Sequence, residues 1–135
     1  MKRIIIVFLL MILLTGCIKA KESDKKMYII INNIKYEIDL EYNDTVKELY
    51  NKLPLEYEMD ELNSNEKYVY LDYELPSDPV KVNNIEKGDI MLYGDDCLVL
   101  FYKSFTTPYS YTKIGHINNL EELGSENITI RLEKE

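Results

Sequence analysis

Tryptophan is absent from this 135-residue sequence, histidine occurs once, and there are only two cysteines and three phenylalanines. With His116 the only histidine, a multi-histidine metal site within one chain is excluded. The two cysteines, Cys17 and Cys97, could form at most one disulfide. Long apolar runs are missing as well. Ile4 to Leu14 is the longest, at eleven residues, well short of the roughly 20 that a spanning helix requires. No internal repeat or low-complexity segment occurs, and 46% hydrophobic with 30% charged residues excludes disorder and collagen-like composition. A chain of this length is expected to hold one domain.

What is present begins at the amino terminus. Lys2 and Arg3 precede the Ile4 to Leu14 run, which is followed by Leu14-Thr-Gly-Cys17. Basic residues, a short apolar core and small residues in that order read as an export signal. The ending resembles the bacterial lipoprotein box: leucine, a small residue, glycine, then cysteine. That resemblance implies a diacylglycerol thioether on Cys17, cleavage after Gly16 and acylation of the new terminus, since two or three acyl chains anchor a protein stably where one does not. The expected division is therefore a signal peptide at 1–16, lipidated Cys17 with a polar tether to residue 26, and one domain at 27–135. The expected address is the extracytoplasmic face of a bacterial cell membrane.

Lipidation also leaves Cys97 unpaired, so no internal disulfide is expected. No basic residue near Cys97 in sequence would lower its pKa, which makes it a buried core residue rather than a nucleophile. Processing removes Lys2 and Arg3 from the 16 basic residues, so 14 face 24 acidic ones and the net charge becomes −10. Phosphates repel such a chain, and nucleic-acid binding is not expected.

The exported part reads mainly as strands. Met27 to Ile31 and Ile34 to Leu40 flank Asn32-Asn33, a hairpin signal. Asp44 is placed to cap a helix from Thr45 to Leu53, whose Val46, Leu49, Tyr50 and Leu53 share one face before Pro54 ends it. Further strands are expected at Leu55 to Leu62, Lys67 to Leu71, Ile90 to Tyr93, Cys97 to Tyr102, Lys113 to Ile117 and Ile128 to Leu132. One helical turn is expected at Asn119 to Leu123, and Ser104 to Ser110 is expected as loop. Hairpin-linked strands with few helices argue for an antiparallel, closed or nearly closed all-β barrel.

Three stretches carry a further resemblance. They are Leu62-Asn-Ser-Asn-Glu-Lys-Tyr68 with Tyr70-Leu71, Gly88-Asp-Ile-Met-Leu-Tyr-Gly94 with Leu98-Val-Leu-Phe-Tyr102, and Tyr109-Ser-Tyr-Thr-Lys-Ile-Gly115 with Ile117. Together they resemble the small bacterial cyclophilin-like domain family over about Met27 to Leu132. The resemblance implies a cyclophilin-like β-barrel of about eight strands with one or two short helices. True cyclophilins are peptidyl-prolyl isomerases with a catalytic arginine, often in Phe-His-Arg, beside a proline pocket. Here no phenylalanine precedes a histidine, and beyond the signal peptide the only arginine is Arg131 in the last strand. The resemblance thus gives a fold without a catalytic residue.

Twelve tyrosines, all beyond residue 17, are the more unusual feature. Tyrosine joins a large apolar body to a polar tip and suits both barrel surfaces and binding sites. Tyr109, Tyr111, Thr112 and His116 place aromatic, hydroxyl and imidazole groups within eight residues. They are the candidate ligand-contact residues, beside a groove for an extended peptide or small ligand. The acidic residues Glu56, Glu58, Asp60 and Glu61 lack calcium-loop spacing and read as a solvated face. No cofactor, metal site or catalytic residue is expected. The expected partners are the membrane through the lipid anchor, and a peptide or envelope protein. A divergent prolyl isomerase is the alternative.

Overall fold

Residues 25–135 are described by a computed structural model; the expected signal peptide, Cys17 and most of the expected tether lie outside them. Asn32 and Asn33, with φ of 51° and 66°, close the tight turn between β1 (Met27–Ile31) and β2 (Ile34–Leu40). A short helix follows, α1 (Asp44–Asn51). Its N-cap is Asn43 rather than the expected Asp44, because the Asn43 carboxamide oxygen is the one that accepts the Val46 N–H, at 2.9 Å. Asp44 instead sits in the first turn, where a negative charge suits the helix dipole. A second hairpin joins β3 (Leu55–Leu62) to β4 (Glu66–Tyr70) through Asn63 and Ser64, both left-handed.

The segment between β4 and the next long strand holds two short strands, β5 (Val80–Lys81) and β6 (Asn84–Ile85). The central hairpin is β7 (Asp89–Tyr93) and β8 (Cys97–Phe101), followed by β9 (Phe105–Thr106), β10 (Ser110–Ile117) and β11 (Ile128–Lys134). The order β2-β1-β11-β3-β4-β8-β7-β10, with β10 returning to β2, closes an eight-stranded antiparallel barrel. The expected closed all-β barrel is the observed fold.

Alternation along the strands fills the interior. Met27, Ile29 and Ile31 from β1, Leu98 and Leu100 from β8, and Ile130 and Leu132 from β11 meet in one buried cluster, onto which α1 lays Val46 and Leu49. Each such side chain contributes on the order of 1.5–3 kcal/mol through burial. A second, smaller core lies on the outside of the barrel wall. There Met91, Val99, Phe101 and Tyr111 are covered by Ile85 and Phe105 from the paired β6 and β9. The segment expected as loop at Ser104 to Ser110 therefore contributes a strand, and β10 begins three residues earlier than expected.

Two local expectations fail for identifiable reasons. Asn119 to Leu123 forms no helical turn: Asn119 takes φ of 58°, outside the helical region, while Leu120 and Leu123 insert into the main core from irregular chain. Simple alternation would also put His116 on the same face as Ile114. A β-bulge between Lys113 and Gly115 shifts the register on β7, so Ile114 is buried and His116 is part-exposed beside Asp89.

Candidate functional site

β8 lies between β4 on one side and β7 on the other, and its outward positions Cys97 and Val99 are small. Register places Tyr70 and Tyr93 on either side of Cys97, and Tyr68 and Met91 on either side of Val99. Large rings on the flanking strands and small residues between them leave a groove of about 280 Å³. Tyr109, just before β10, and Tyr111, within it, complete the far wall, and Leu62 and Glu66 close the near end.

The rings support one another. Tyr93 meets Tyr109 edge to face at 6.1 Å and Tyr111 at 5.6 Å, while Tyr68 and Tyr70 form an edge contact at 5.9 Å. Tyr111 also stands perpendicular to Phe101 at 5.5 Å, which fixes it in the outer core. The rim is open: Tyr70 is 66% exposed, Tyr109 58%, Tyr93 46% and Leu62 41%. Four large hydrophobic residues exposed around one depression form the kind of patch that monomeric domains use for binding.

The groove is acidic. Glu66, its only charged lining residue, has its carboxyl pKa raised by burial and by the nearby charge of Glu61. Burial, then Asp96 and Glu66, push the Cys97 thiol up to about 11. The Cys97 thiol is therefore protonated at neutral pH and forms part of the floor. Burial, then Glu66, likewise raise the Tyr111 phenol.

The four candidate residues separate into three settings. Tyr109 and Tyr111 line the groove together. Thr112 faces the other way, is buried, and accepts the Asp78 N–H at 2.9 Å, holding the chain after Pro76 against β10. His116 lies beyond the bulge, its Nδ1 2.8 Å from Asp89 Oδ1. The other Asp89 oxygen accepts the Glu86 N–H at 2.8 Å. Glu86, Asp89 and His116 place three donor atoms within 4.8 Å of one another, yet both Asp89 oxygens are engaged in clamping the turn before β7.

Tyr68, Tyr70, Tyr93 and Glu66 belong to the groove without having been singled out in the sequence. Glu66, Tyr68 and Tyr70 share one face of a strand, a signal readable from alternation. Tyr93 joins them only through the β4–β8 pairing, which has no local signature.

A buried ion pair sits behind this wall. Lys67, 0% exposed, directs Nζ at Glu61 Oε2, at 2.6 Å, and at the carbonyls of Gly124 and Glu126. All three ammonium protons are thus used. The Tyr102 hydroxyl donates to the same Glu61 carboxylate at 2.8 Å. Burial alone would raise the Glu61 pKa, but hydrogen bonds from Lys67 and Tyr102 and the Lys67 charge outweigh it, so the carboxyl lies below its usual value. A larger cleft, about 460 Å³, runs between β2 and α1. Its lining mixes Lys25, Lys26 and Lys47 with Glu37, Asp39, Glu41 and Asp44, charges of both signs that largely offset one another, whereas the tyrosine groove carries charge of one sign only.

Comparison with known proteins agrees with this architecture. Residues 29–133 match the cyclophilin-like family, and residues 1–17 match the prokaryotic membrane lipoprotein lipid attachment site. The solution structure of the hypothetical protein AF2241 from Archaeoglobus fulgidus is similar, with a TM-score of 0.50 and 20% identity over 81% of this chain and 93% of that one. At that identity the likeness concerns the fold. No curated protein matches the chain. With the family match spanning nearly the whole barrel and the attachment site ending at Cys17, the chain is a lipoprotein of the cyclophilin-like family.

Proposed function

We propose that this lipoprotein is a binding module, held on the extracytoplasmic face of the membrane by the lipid on Cys17, whose tyrosine groove receives an extended peptide. The observation that carries the reading is the groove itself: five tyrosines and a leucine around a depression of about 280 Å³, with Tyr70, Tyr93 and Tyr109 exposed at its rim. Tyrosines supply large, rigid contact area at low entropic cost, and a volume near the lower limit for ligand pockets fits one or two side chains of a peptide. Thr112 and His116, candidates from the sequence, support the wall and the turn in this reading and do not touch the ligand.

Catalysis of prolyl isomerisation would require a cationic donor near the prolyl nitrogen. Arg131 pairs with Glu133 on β11 at 3.0 Å, and the groove lining contains neither arginine nor lysine. Binding without turnover is the function this lining supports.

Calorimetric titration with the peptide Ac-Ala-Lys-Ala-Pro-Ala-amide tests the reading. Tyr93→Ala and Tyr109→Ala, both at exposed rim positions, should keep the melting temperature and weaken binding at least about tenfold each, as truncation of an aromatic anchor does. Unchanged binding in both variants would remove the groove from consideration.

A further inference from the structure

Resting on the groove as binding site, we infer that it selects a basic side chain of the bound peptide, with the ammonium or guanidinium group meeting Glu66 and the alkyl stem lying across the tyrosine faces. Three independent observations converge on this. The lining carries five aromatic faces, each with a negative quadrupole that attracts cations. Its single charge is the Glu66 carboxylate, and no cationic residue among the lining residues offsets it. Asp96, on the turn between β7 and β8, adds to the same negative potential, as its effect on Cys97 records.

The geometry of β4 places these groups in order. Glu66, Tyr68 and Tyr70 follow one another on the outer face of the strand, with Glu66 opposite Phe101 at the inner end and Tyr70 opposite Cys97 at the outer end. A long side chain entering past the exposed Tyr70 ring would run along Tyr68 toward the carboxylate. An apolar stem under a charged head matches that gradient, since lysine and arginine pack their methylenes on apolar surface while keeping the head polar. Glu66 and the tyrosine hydroxyls are hydrogen-bond acceptors, which favours a group with N–H donors over a quaternary amine that has none. The open rim, rather than an enclosed cage, favours a chain lying across the sheet over a free small molecule.

The mutually supporting lysine–tyrosine contacts elsewhere on the surface show that this chemistry is within reach of the fold. Lys35 lies 4.4 Å from the Tyr28 ring centre and Lys52 lies 4.2 Å from that of Tyr73. The groove rings carry no such partner among the described residues.

Titration of the lipidated protein in detergent micelles decides the matter. The probes are Ac-Ala-Lys-Ala-Pro-Ala-amide, the same peptide with norleucine in place of lysine, and tetramethylammonium chloride. The lysine peptide should bind about tenfold more tightly than the norleucine peptide, roughly one partly desolvated cation–π contact, and Glu66→Gln should remove most of that difference. Equal binding of the two peptides would overturn the charge selection and leave the groove reading standing. No binding of either would overturn both. Tetramethylammonium competing as strongly per cation as the lysine peptide would overturn the peptide side chain as occupant. A lysine preference untouched by Glu66→Gln would assign the effect to the general negative charge of the protein, and would also overturn the assignment.

Discussion

Glu66 and Lys67 are neighbours in sequence with opposite situations. Lys67 turns inward and finds every partner it needs; Glu66 turns outward into a half-buried groove where its charge is opposed by burial and by Glu61. A carboxyl whose folded pKa is raised binds more protons in the folded state, so the wild-type protein loses stability as pH rises from the usual carboxylate range through that raised value. Glu66→Gln should therefore raise the melting temperature at pH 7, with the gain disappearing below pH of about 4. A thermal-melt series across pH would establish this, and a charge kept at a cost to stability is what a binding role for Glu66 entails. Glu61 has the reverse sign. Its lowered pKa contributes stability that is complete above the unfolded value and is lost as pH falls through the folded one. Lys67→Met would leave the Gly124 and Glu126 carbonyls without their donor and the Glu61 carboxylate without its cation, held by Tyr102 alone among side chains, and chemical denaturation should show a loss of about 3–5 kcal/mol.

At the scale of elements, β10 does the most work. It closes the barrel against β2, presents Tyr111 to the groove, and bulges so that Ile114 enters the core. Gly115 permits the closure: a Cβ there would lie 2.5 Å from Ile38 Cγ2 and 2.6 Å from the Asp39 carbonyl oxygen. Gly115→Ala should cost about 1–3 kcal/mol, the range for overpacking a filled site, measurable as a lowered denaturation midpoint. Helix α1 depends on Asn43, whose carboxamide caps Val46 and also donates to the Lys113 carbonyl at 2.8 Å, tying the helix to β10.

Most of the long strands were legible because alternation and turn residues are local signals: Asn32-Asn33 and Gly94 each announce a hairpin. The bulge was not, since one extra residue leaves the composition of β10 unchanged while reversing the face of His116. The short strands β5, β6 and β9 were equally hidden, because two residues are too few to display a period. The groove was half legible. Tyr109 and Tyr111 stood out as a cluster, whereas Tyr68, Tyr70 and Tyr93 join them only through pairings across the sheet.

For the whole molecule, the lipid anchor and the barrel divide the labour: one fixes the protein at a membrane and the other presents a surface. Cys17→Ser should abolish metabolic labelling by fatty acid, and persistent labelling would contradict the anchor. The more decisive experiment is exchange NMR on the lipidated protein carrying ring-labelled tyrosine, titrated with Ac-Ala-Lys-Ala-Pro-Ala-amide. A binding module predicts shifts confined to the rings of Tyr68, Tyr70, Tyr93, Tyr109 and Tyr111, with cis/trans exchange of the Ala–Pro bond as slow as in free peptide. Accelerated exchange, or an absence of shifts in these rings at saturating peptide, would contradict it.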